Sequence, residues 1–147
     1  MIMKKTVFFS MLILVLLITA CNIGGQADEV KPLFIGANKV FDQTKADEAK
    51  QLVLSMEEVV EVKGVNKEEN IYIAAKVKQF DRFFLDRIRN EAHDKIKKRF
   101  PEANVHVSTD KKVFLELEKL ERKIYQNKIN KENVEKQIKK IEDFMTG

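Results

Sequence analysis

The sequence predicts a small α+β domain, and three observations lead to this fold class. Two stretches rich in β-branched residues, 59–65 and 71–77, flank the polar turn NKEEN and are typical of a β-hairpin. Segments whose apolar residues recur at helical spacing precede and follow this hairpin. The resulting order is helix, strand, strand, helix, strand, helix (αββαβα). We therefore expect a three-stranded sheet with helices packed on one face, plus a C-terminal helical extension.

The first helix is predicted over residues 45–57. Thr44 would cap it, and the carboxylate of Asp47 lies in its first turn. Its apolar positions recur at helical intervals, at Ala46, Ala49, Leu52, Val53 and Met56.

The second helix is predicted from Arg82 to about Arg99, with Asp81 as its cap and Pro101 as its stop. Four apolar residues spaced by four form its predicted buried stripe, and three others widen it. The stripe consists of Phe84, Ile88, Ala92 and Ile96, and the flanking residues are Phe80, Leu85 and Phe100.

A third strand over residues 104–109 leads to a third helix capped by Asp110. An apolar ladder with alternating spacings of four and three continues to the C-terminus, but Asn127 and Lys131 occupy its middle rungs. A break is therefore predicted in this region, with Asn130 capping a fourth helix. Three arrangements of the extension stay open: packing on the domain, self-association as a coiled coil, and a mostly disordered tail.

The first 21 residues have the features of an export signal, because a pair of lysines precedes an apolar run over residues 7–18 in which only Ser10 is polar. A membrane-spanning helix needs ~20 apolar residues, more than this run provides. The ending Ile-Thr-Ala-Cys resembles the bacterial lipoprotein signal. We therefore expect removal of residues 1–20 and a diacylglyceryl lipid on Cys21, with an uncleaved anchor and ordinary secretion as alternatives.

The rest of the chain is divided at positions where its composition changes. Residues 21–43 contain three glycines and Pro32, and predict a flexible tether that could reach up to about 70 Å from the lipid. Its apolar stretch Leu33-Phe34-Ile35 would either pack on the domain or contact a partner or the membrane surface. The domain is predicted over residues 44–125 and the charged helical extension over residues 126–147.

Charge and cysteine content exclude some classes of function. The mature chain would carry 25 basic and 23 acidic side chains, since two of the 27 basic residues lie in the signal. This near balance argues against binding to nucleic acid, which needs basic residues collected on one face. Cys21 is the only cysteine, which excludes an intrachain disulfide and a cysteine metal cluster.

No motif for catalysis is present in the sequence. His93 and His106 lack the spacing of a zinc site, and there is no GxSxG motif and no glycine-rich phosphate loop. We therefore expect no enzymatic activity, no catalytic residue, no metal and no cofactor besides the covalent lipid. A small hydrolase is kept as an alternative.

The basic run at the end of the second helix is the one charge feature that suggests binding, and it contains Lys95, Lys97, Lys98 and Arg99. Cations near a helix C-terminus are favoured by the helix dipole, so a purely structural role is one interpretation. The other is contact with anionic lipid head groups or with a polyanionic wall polymer.

With its lipoprotein signal and this order of elements, the chain resembles the YhcN/YlaJ family of sporulation lipoproteins of endospore-forming Gram-positive bacteria. The resemblance rests on the Cys21 signal, the helix TKADEAKQLVLSMEEV, the hairpin VVEVKGVNKEENIYIAAKV and the segment KKRFPEANVHVSTD. It covers about residues 42–125, and the extension over 126–147 departs from it. The element order is also similar to BON modules and to ring-building motifs of secretion assemblies.

The resemblance implies a lipid-anchored protein on the outer face of the cell or spore membrane, without catalytic residues. We expect a non-enzymatic role in spore membrane organisation or germination, through contacts with envelope or spore proteins, lipid or wall. The alternative is a structural scaffold or ring-forming subunit of an envelope assembly. In that case the C-terminal helices would form the oligomer.

Overall fold

The computed structural model describes residues 31–146 and contains the predicted succession of elements. The predicted signal peptide and Cys21 lie outside the described residues. The elements are α1 (Thr44–Leu54), β1 (Val59–Lys67), β2 (Asn70–Val77), a 3₁₀ helix (Gln79–Phe84), α2 (Leu85–Arg99), β3 (Asn104–Ser108), α3 (Lys111–Tyr125) and α4 (Lys131–Thr146). The α+β fold class is confirmed.

The three strands form one mixed sheet in the order β1-β2-β3. β1 and β2 pair antiparallel as the predicted hairpin, whose turn contains Glu68 with a positive φ of 53°. β2 and β3 pair parallel, from Asn70 opposite Asn104 to Ala74 opposite Ser108. Parallel neighbours need a crossover, and α2 supplies it.

The helices cover both faces of the sheet, and this differs from the predicted arrangement on one face. Ile71, Ile73 and Ala75 of β2 contribute to a core with α1 and α2. Tyr72 and Ala74 point to the other side and contribute to a second core with α3 and α4. The physical reason lies in β2, which is apolar at both sets of alternating positions, as is typical of a strand buried on both faces.

The helix caps agree with the sequence at two of four positions. Asp110 Oδ1 accepts hydrogen bonds from the amides of Lys112 and Val113, and Asn130 Oδ1 accepts one from the amide of Asn133. Thr44 does not cap α1. Its amide instead donates to Asp42 Oδ1 at 3.0 Å. Asp81 does not cap α2, because the 3₁₀ helix continues directly into it.

The C-terminal extension packs on the domain. Val134, Ile138 and Ile141 of α4 are buried in the second core, and the Tyr72 hydroxyl donates to Glu142 Oε1 at 2.5 Å. Of the three arrangements left open by the sequence, the first is therefore the one observed. The apolar ladder is used within the chain, and assembly through the C-terminal helices stays a prediction.

Part of the predicted tether also lies against the domain. The amides of Ile35 and Gly36 donate to Asp47 Oδ2 at 2.9 and 2.6 Å, and Val40 and Phe41 pack against the second core. Only residues 31 and 32 of the described chain precede this packed segment. Within the apolar stretch 33–35, Ile35 thus follows the first of the two interpretations, whereas Phe34 is exposed.

Candidate contact surface

The most unusual surface of the domain is made by three phenylalanines of the 3₁₀ helix. Phe80 is 89% exposed and Phe83 is 91% exposed, and Phe84 at the end of the same helix is also exposed. We call Phe80, Phe83 and Phe84 the phenylalanine surface. Large aromatic side chains are among the most strongly buried groups in proteins, and a cluster of exposed ones is typical of a site of interaction.

This surface arises because the helical repeat changes at Leu85. The sequence predicts that Phe80 and Phe84 continue the buried stripe of α2, which requires 3.6 residues per turn. In a 3₁₀ helix the repeat is three, so Phe80 and Phe83 lie on the same side. That side faces solvent, whereas Ile88, Ala92 and Ile96 are buried under α2. The prediction that Phe80 and Phe84 belong to the core is therefore wrong.

A shallow cleft lies beside the phenylalanine surface, between the end of β2 and the start of α3. Its volume is about 360 Å³. The apolar part of its lining comprises Ala75, Val77, Leu85, Phe114 and Leu115, and the polar part comprises Lys76, Gln79, Arg82, Thr109, Asp110 and Lys111. None of the three phenylalanines lines this cleft, and Leu115 is an exposed apolar residue of its own lining.

The charges around the phenylalanine surface are of both signs, because Asp81 of the same 3₁₀ helix and Asp86 in the first turn of α2 accompany the cations. Within residues 31–146, Lys78 and Arg82 have no carboxylate in ion-pairing distance, and both are exposed. Arg87 is different, because it pairs with Glu58 at 2.7 Å and this hydrogen bond lowers the pKa of the Glu58 carboxyl. Two cations without an ion pair in this range therefore flank the aromatic side chains, and the charge of Lys78 also helps to lower the pKa of the Glu58 carboxyl.

The four predicted anionic-contact residues at the end of α2 are divided by the structure. Lys97 Nζ donates to the carbonyl oxygens of Pro101 and Ala103 at 2.7 and 2.9 Å, which ties down the helix end. Arg99 pairs with Glu48 at 2.9 Å and lies over the ring of Phe100. Lys95 and Lys98 instead line a shallow depression on the outer face of α2, which the carboxylates of Glu91 and Asp94 line as well.

A second basic surface lies between α3 and α4, in a groove of about 450 Å³. It is lined by four lysines and no carboxylate, namely Lys123, Lys128, Lys136 and Lys140, with Ile129, Asn133 and Gln137. Lys136 pairs with Glu132 at 2.6 Å and Lys140 with Glu116 at 3.0 Å. Half of the positive charge is therefore already compensated from outside the groove.

Neither histidine contributes to a metal or catalytic centre among the described residues. His93 is half-exposed, with Nδ1 3.3 Å from Asp94 Oδ1. His106 stacks on Tyr72, with 4.8 Å between ring centroids and 9° between planes. No cluster of three or more potential metal ligands occurs in residues 31–146. In the same range, the helices are too short or too polar to cross a membrane.

Buried polar groups close the outer edge of β1. Glu121 Oε1 accepts hydrogen bonds from the Gly64 amide at 2.7 Å and from Lys50 Nζ at 3.0 Å. Two residues further along the strand, the carboxamide of Gln43 both donates to the Asn66 carbonyl and accepts from the Asn66 amide. This edge is thereby unavailable for pairing with another strand.

The sequence alone missed the phenylalanine surface and the buried Lys50–Glu121 pair. A signal existed for each. Phe83 and Phe84 are consecutive, so one narrow helical stripe could not bury both. Lys50 follows Ala46 by four residues and Glu121 follows Leu117 by four, which puts both charges on apolar stripes.

Comparison with family models gives one match, to the sporulation lipoprotein family YhcN/YlaJ, over residues 26–146. The chain belongs to this family. Comparisons with curated proteins and with solved structures gave no match. The likeness to BON modules and ring-building motifs therefore stays a prediction.

The YhcN/YlaJ match is longer than the resemblance recognised in the sequence. It begins before the segment that packs on α1, and it includes α3 and α4. The C-terminal extension is therefore part of what this sporulation lipoprotein family shares, and not a departure from it. This agrees with the burial of Val134, Ile138 and Ile141 in the second core.

Proposed function

We propose that this sporulation lipoprotein is a non-enzymatic contact module, held by a lipid on Cys21 at the outer face of the cell or spore membrane. There it contributes to spore membrane organisation or germination through contacts with lipid, protein or wall. The observation that supports this most directly is the phenylalanine surface. Phe80 and Phe83 do not pack in the core of the domain, and their exposed rings can contact another molecule.

The anchor gives such contacts a defined place. Each buried methylene contributes about 0.8 kcal/mol to membrane binding, and two acyl chains anchor a protein stably where one does so only marginally. A diacylglyceryl group on Cys21 would therefore keep the domain next to the bilayer without a spanning segment. Contacts that are individually weak then suffice, since the partner is always near.

The basic end of α2 contributes a second contact in this proposal. Lys95 and Lys98 would bind an anionic wall polymer or anionic head groups, with Lys97 and Arg99 holding the helix end in place through their own contacts. Because α2 has 15 residues and rises ~1.5 Å per residue, this end lies about 20 Å along the helix from Phe84. The two surfaces could thus be occupied together.

The anchor is tested by Cys21→Ala in the full-length chain. We expect the unprocessed precursor to accumulate and labelling by a fatty-acid probe to disappear, because the acceptor sulfur is gone. Ser10→Ala, which keeps the signal apolar, serves as the control and should be processed and labelled normally. Unchanged labelling of Cys21→Ala would refute the anchor.

The contact role is tested in spores with the double variant Phe80→Ser/Phe83→Ser. Both side chains are exposed, so the protein should still accumulate. We expect germination to be impaired, to the same degree as we expect in spores that lack the protein. Tyr125→Ser removes another exposed aromatic residue, on α3, and is the matched control. If the protein's absence impairs germination and the double variant does not, the phenylalanine surface has no part in the function.

A further inference from the structure

We infer that the phenylalanine surface inserts into the head-group region of the same leaflet that carries the Cys21 lipid, with Lys78 and Arg82 against anionic head groups. This rests on the proposed function, since it needs a domain that is lipid-anchored. It goes further in naming the occupant of the surface as the bilayer itself and in fixing which end of the domain faces it.

The chemistry of the surface fits a membrane interface. Aromatic side chains are favoured there, because apolar rings leave water and nearby cations meet anionic lipid. Phe80 and Phe83 are exposed on one side of the short 3₁₀ helix. Lys78 directly precedes this helix and Arg82 lies within it. In residues 31–146, neither cation has an ion-pair partner that would have to be given up on binding.

The segment that leads toward the anchor is held on α1. Gly36 is held by Asp47, and the Leu33 carbonyl oxygen accepts a hydrogen bond from Lys50 Nζ. The Lys50 ammonium also lies 2.9 Å from Asp47 Oδ1, so Leu33 and Gly36 are both held beside the Asp47 carboxylate on α1.

The C-terminal end of α1 adjoins the phenylalanine surface. The residues after α1 lead into β1, and the Lys78 amide donates to the Glu58 carbonyl oxygen at 2.9 Å just before the 3₁₀ helix begins. The phenylalanine surface is therefore at the end of the domain where α1 leads into β1.

The length of chain between anchor and domain keeps the surface close to the bilayer. The 12 residues from Cys21 to Leu33 span at most about 40 Å, since an extended chain covers ~3.3 to 3.6 Å per residue. The bilayer is therefore the apolar phase that this surface meets at the highest effective concentration. Insertion of two or three rings need only be weakly favourable to be populated.

The experiment uses the absence of tryptophan from the sequence. Phe83→Trp gives the lipidated full chain a single tryptophan, located in the proposed contact, which can be excited selectively over the two tyrosines. The variant is reconstituted in phosphatidylcholine vesicles that contain a minority of phosphatidylglycerol. Its emission is then compared between ordinary lipids and lipids brominated along the acyl chains.

We expect the emission of Phe83→Trp to shift to shorter wavelength on reconstitution and to be quenched by the brominated lipids. Tyr125→Trp is the matched control, because α3 carries this exposed residue about 20 Å away from the cleft end of the helix. Its emission should stay at the wavelength of a water-exposed indole. Both variants carry the same lipid, so a difference between them reports the contact and not the anchor.

A water-exposed, unquenched indole in Phe83→Trp, in a protein that mass spectrometry shows to be lipidated, would overturn the inference and leave the anchor proposal intact. It would also direct the search toward a protein partner. Equal quenching of the two tryptophan variants would overturn the inference too, because the contact would not be specific to this end. Reduced quenching on adding Lys78→Glu/Arg82→Glu to Phe83→Trp would support the role of the two cations, and unchanged quenching would refute it.

Discussion

The ammonium of Lys50 and the carboxylate of Glu121 lie 3.0 Å apart, and both side chains are almost completely shielded from water. Lys50 belongs to α1, which covers one face of the sheet, and Glu121 belongs to α3, which covers the other. The two side chains meet beyond the outer edge of β1, where Glu121 also accepts the hydrogen bond of the Gly64 amide. The pair thereby joins the two helical layers around the edge strand.

Lys50→Met should destabilise the domain strongly. The substitution keeps the apolar stem but leaves Glu121 as an unpaired buried charge, and breaking a buried pair in this way costs about 3–5 kcal/mol. The measurement is the free energy of unfolding from urea titration of the full chain.

The matched control for this prediction is Lys45→Met, which breaks the exposed pair of Lys45 with Glu69 on the same helix. Exposed pairs contribute at most ~1 kcal/mol.

Burial raises the pKa of the Glu121 carboxyl, although Lys50 opposes this effect. The folded state therefore gains stability relative to the unfolded state as Glu121 takes up a proton. The deficit of Lys50→Met should shrink as pH falls. Equal effects of the two substitutions at neutral pH would contradict the structural role of the pair.

Gly64→Ala should also destabilise the domain, for a steric reason. A methyl group built on Gly64 would lie 2.3 Å from Ile73 Cδ1 and 2.8 Å from the carbonyl oxygen of Tyr72. The isoleucine can move but the backbone of β2 cannot without loss of pairing, so we expect a cost of about 1–3 kcal/mol in unfolding free energy. The same measurement applies, and an unchanged midpoint in urea would show that β1 can shift to make room.

Some features of this fold could be predicted from the sequence and others could not. Element order, both strands of the hairpin and the caps at Asp110 and Asn130 follow from local patterns, and the structure contains them. The second helical layer could have been predicted from Tyr72 and Ala74, which make β2 apolar on both faces. The position of Lys50 and Glu121 on apolar stripes indicates that each is buried. The contact between them could not have been predicted, because the two residues are distant in sequence and no local pattern pairs them.

The candidate site was harder to predict than the fold. The spacing of Phe80, Phe84 and Ile88 fits an α-helical stripe, and only the change to a repeat of three residues turns the phenylalanines outward. That change depends on how the chain leaves β2, where the Lys78 amide is held by Glu58. The placement of Lys97 and Arg99 in intramolecular contacts likewise depends on tertiary neighbours.

Acidification should destabilise the domain through His106. Burial lowers the pKa of this imidazole below its ordinary 6.5, with Glu142 opposing and His93 reinforcing the shift. In the unfolded chain the ring takes up its proton near pH 6.5, whereas the folded chain resists it. The contribution is therefore fully present above pH 6.5 and is lost as pH falls toward the folded pKa.

His106→Gln should remove this part of the pH dependence. We expect a shallower fall of unfolding free energy between pH 7 and pH 5 than in the unsubstituted chain, where one proton contributes at most about 1.4 kcal/mol per pH unit. His93→Gln is the comparison: that ring only reinforces the shift in the pKa of His106, so its loss should flatten the pH profile by a smaller amount. Parallel pH profiles for His106→Gln and the unsubstituted chain would contradict the assignment.

The C-terminal helix should be required for stability, and Ile138→Ala tests this. Ile138 is buried in the second core with Tyr72 and Leu117, although it lies in the region that the sequence separates from the domain. Truncating a buried isoleucine to alanine costs about 2–5 kcal/mol. Lys139→Ala alters the neighbouring exposed position and should change the free energy of unfolding by less than about 0.5 kcal/mol. If the two substitutions had the same small effect, α4 would not hold the core together, and its apolar ladder would be free for self-association.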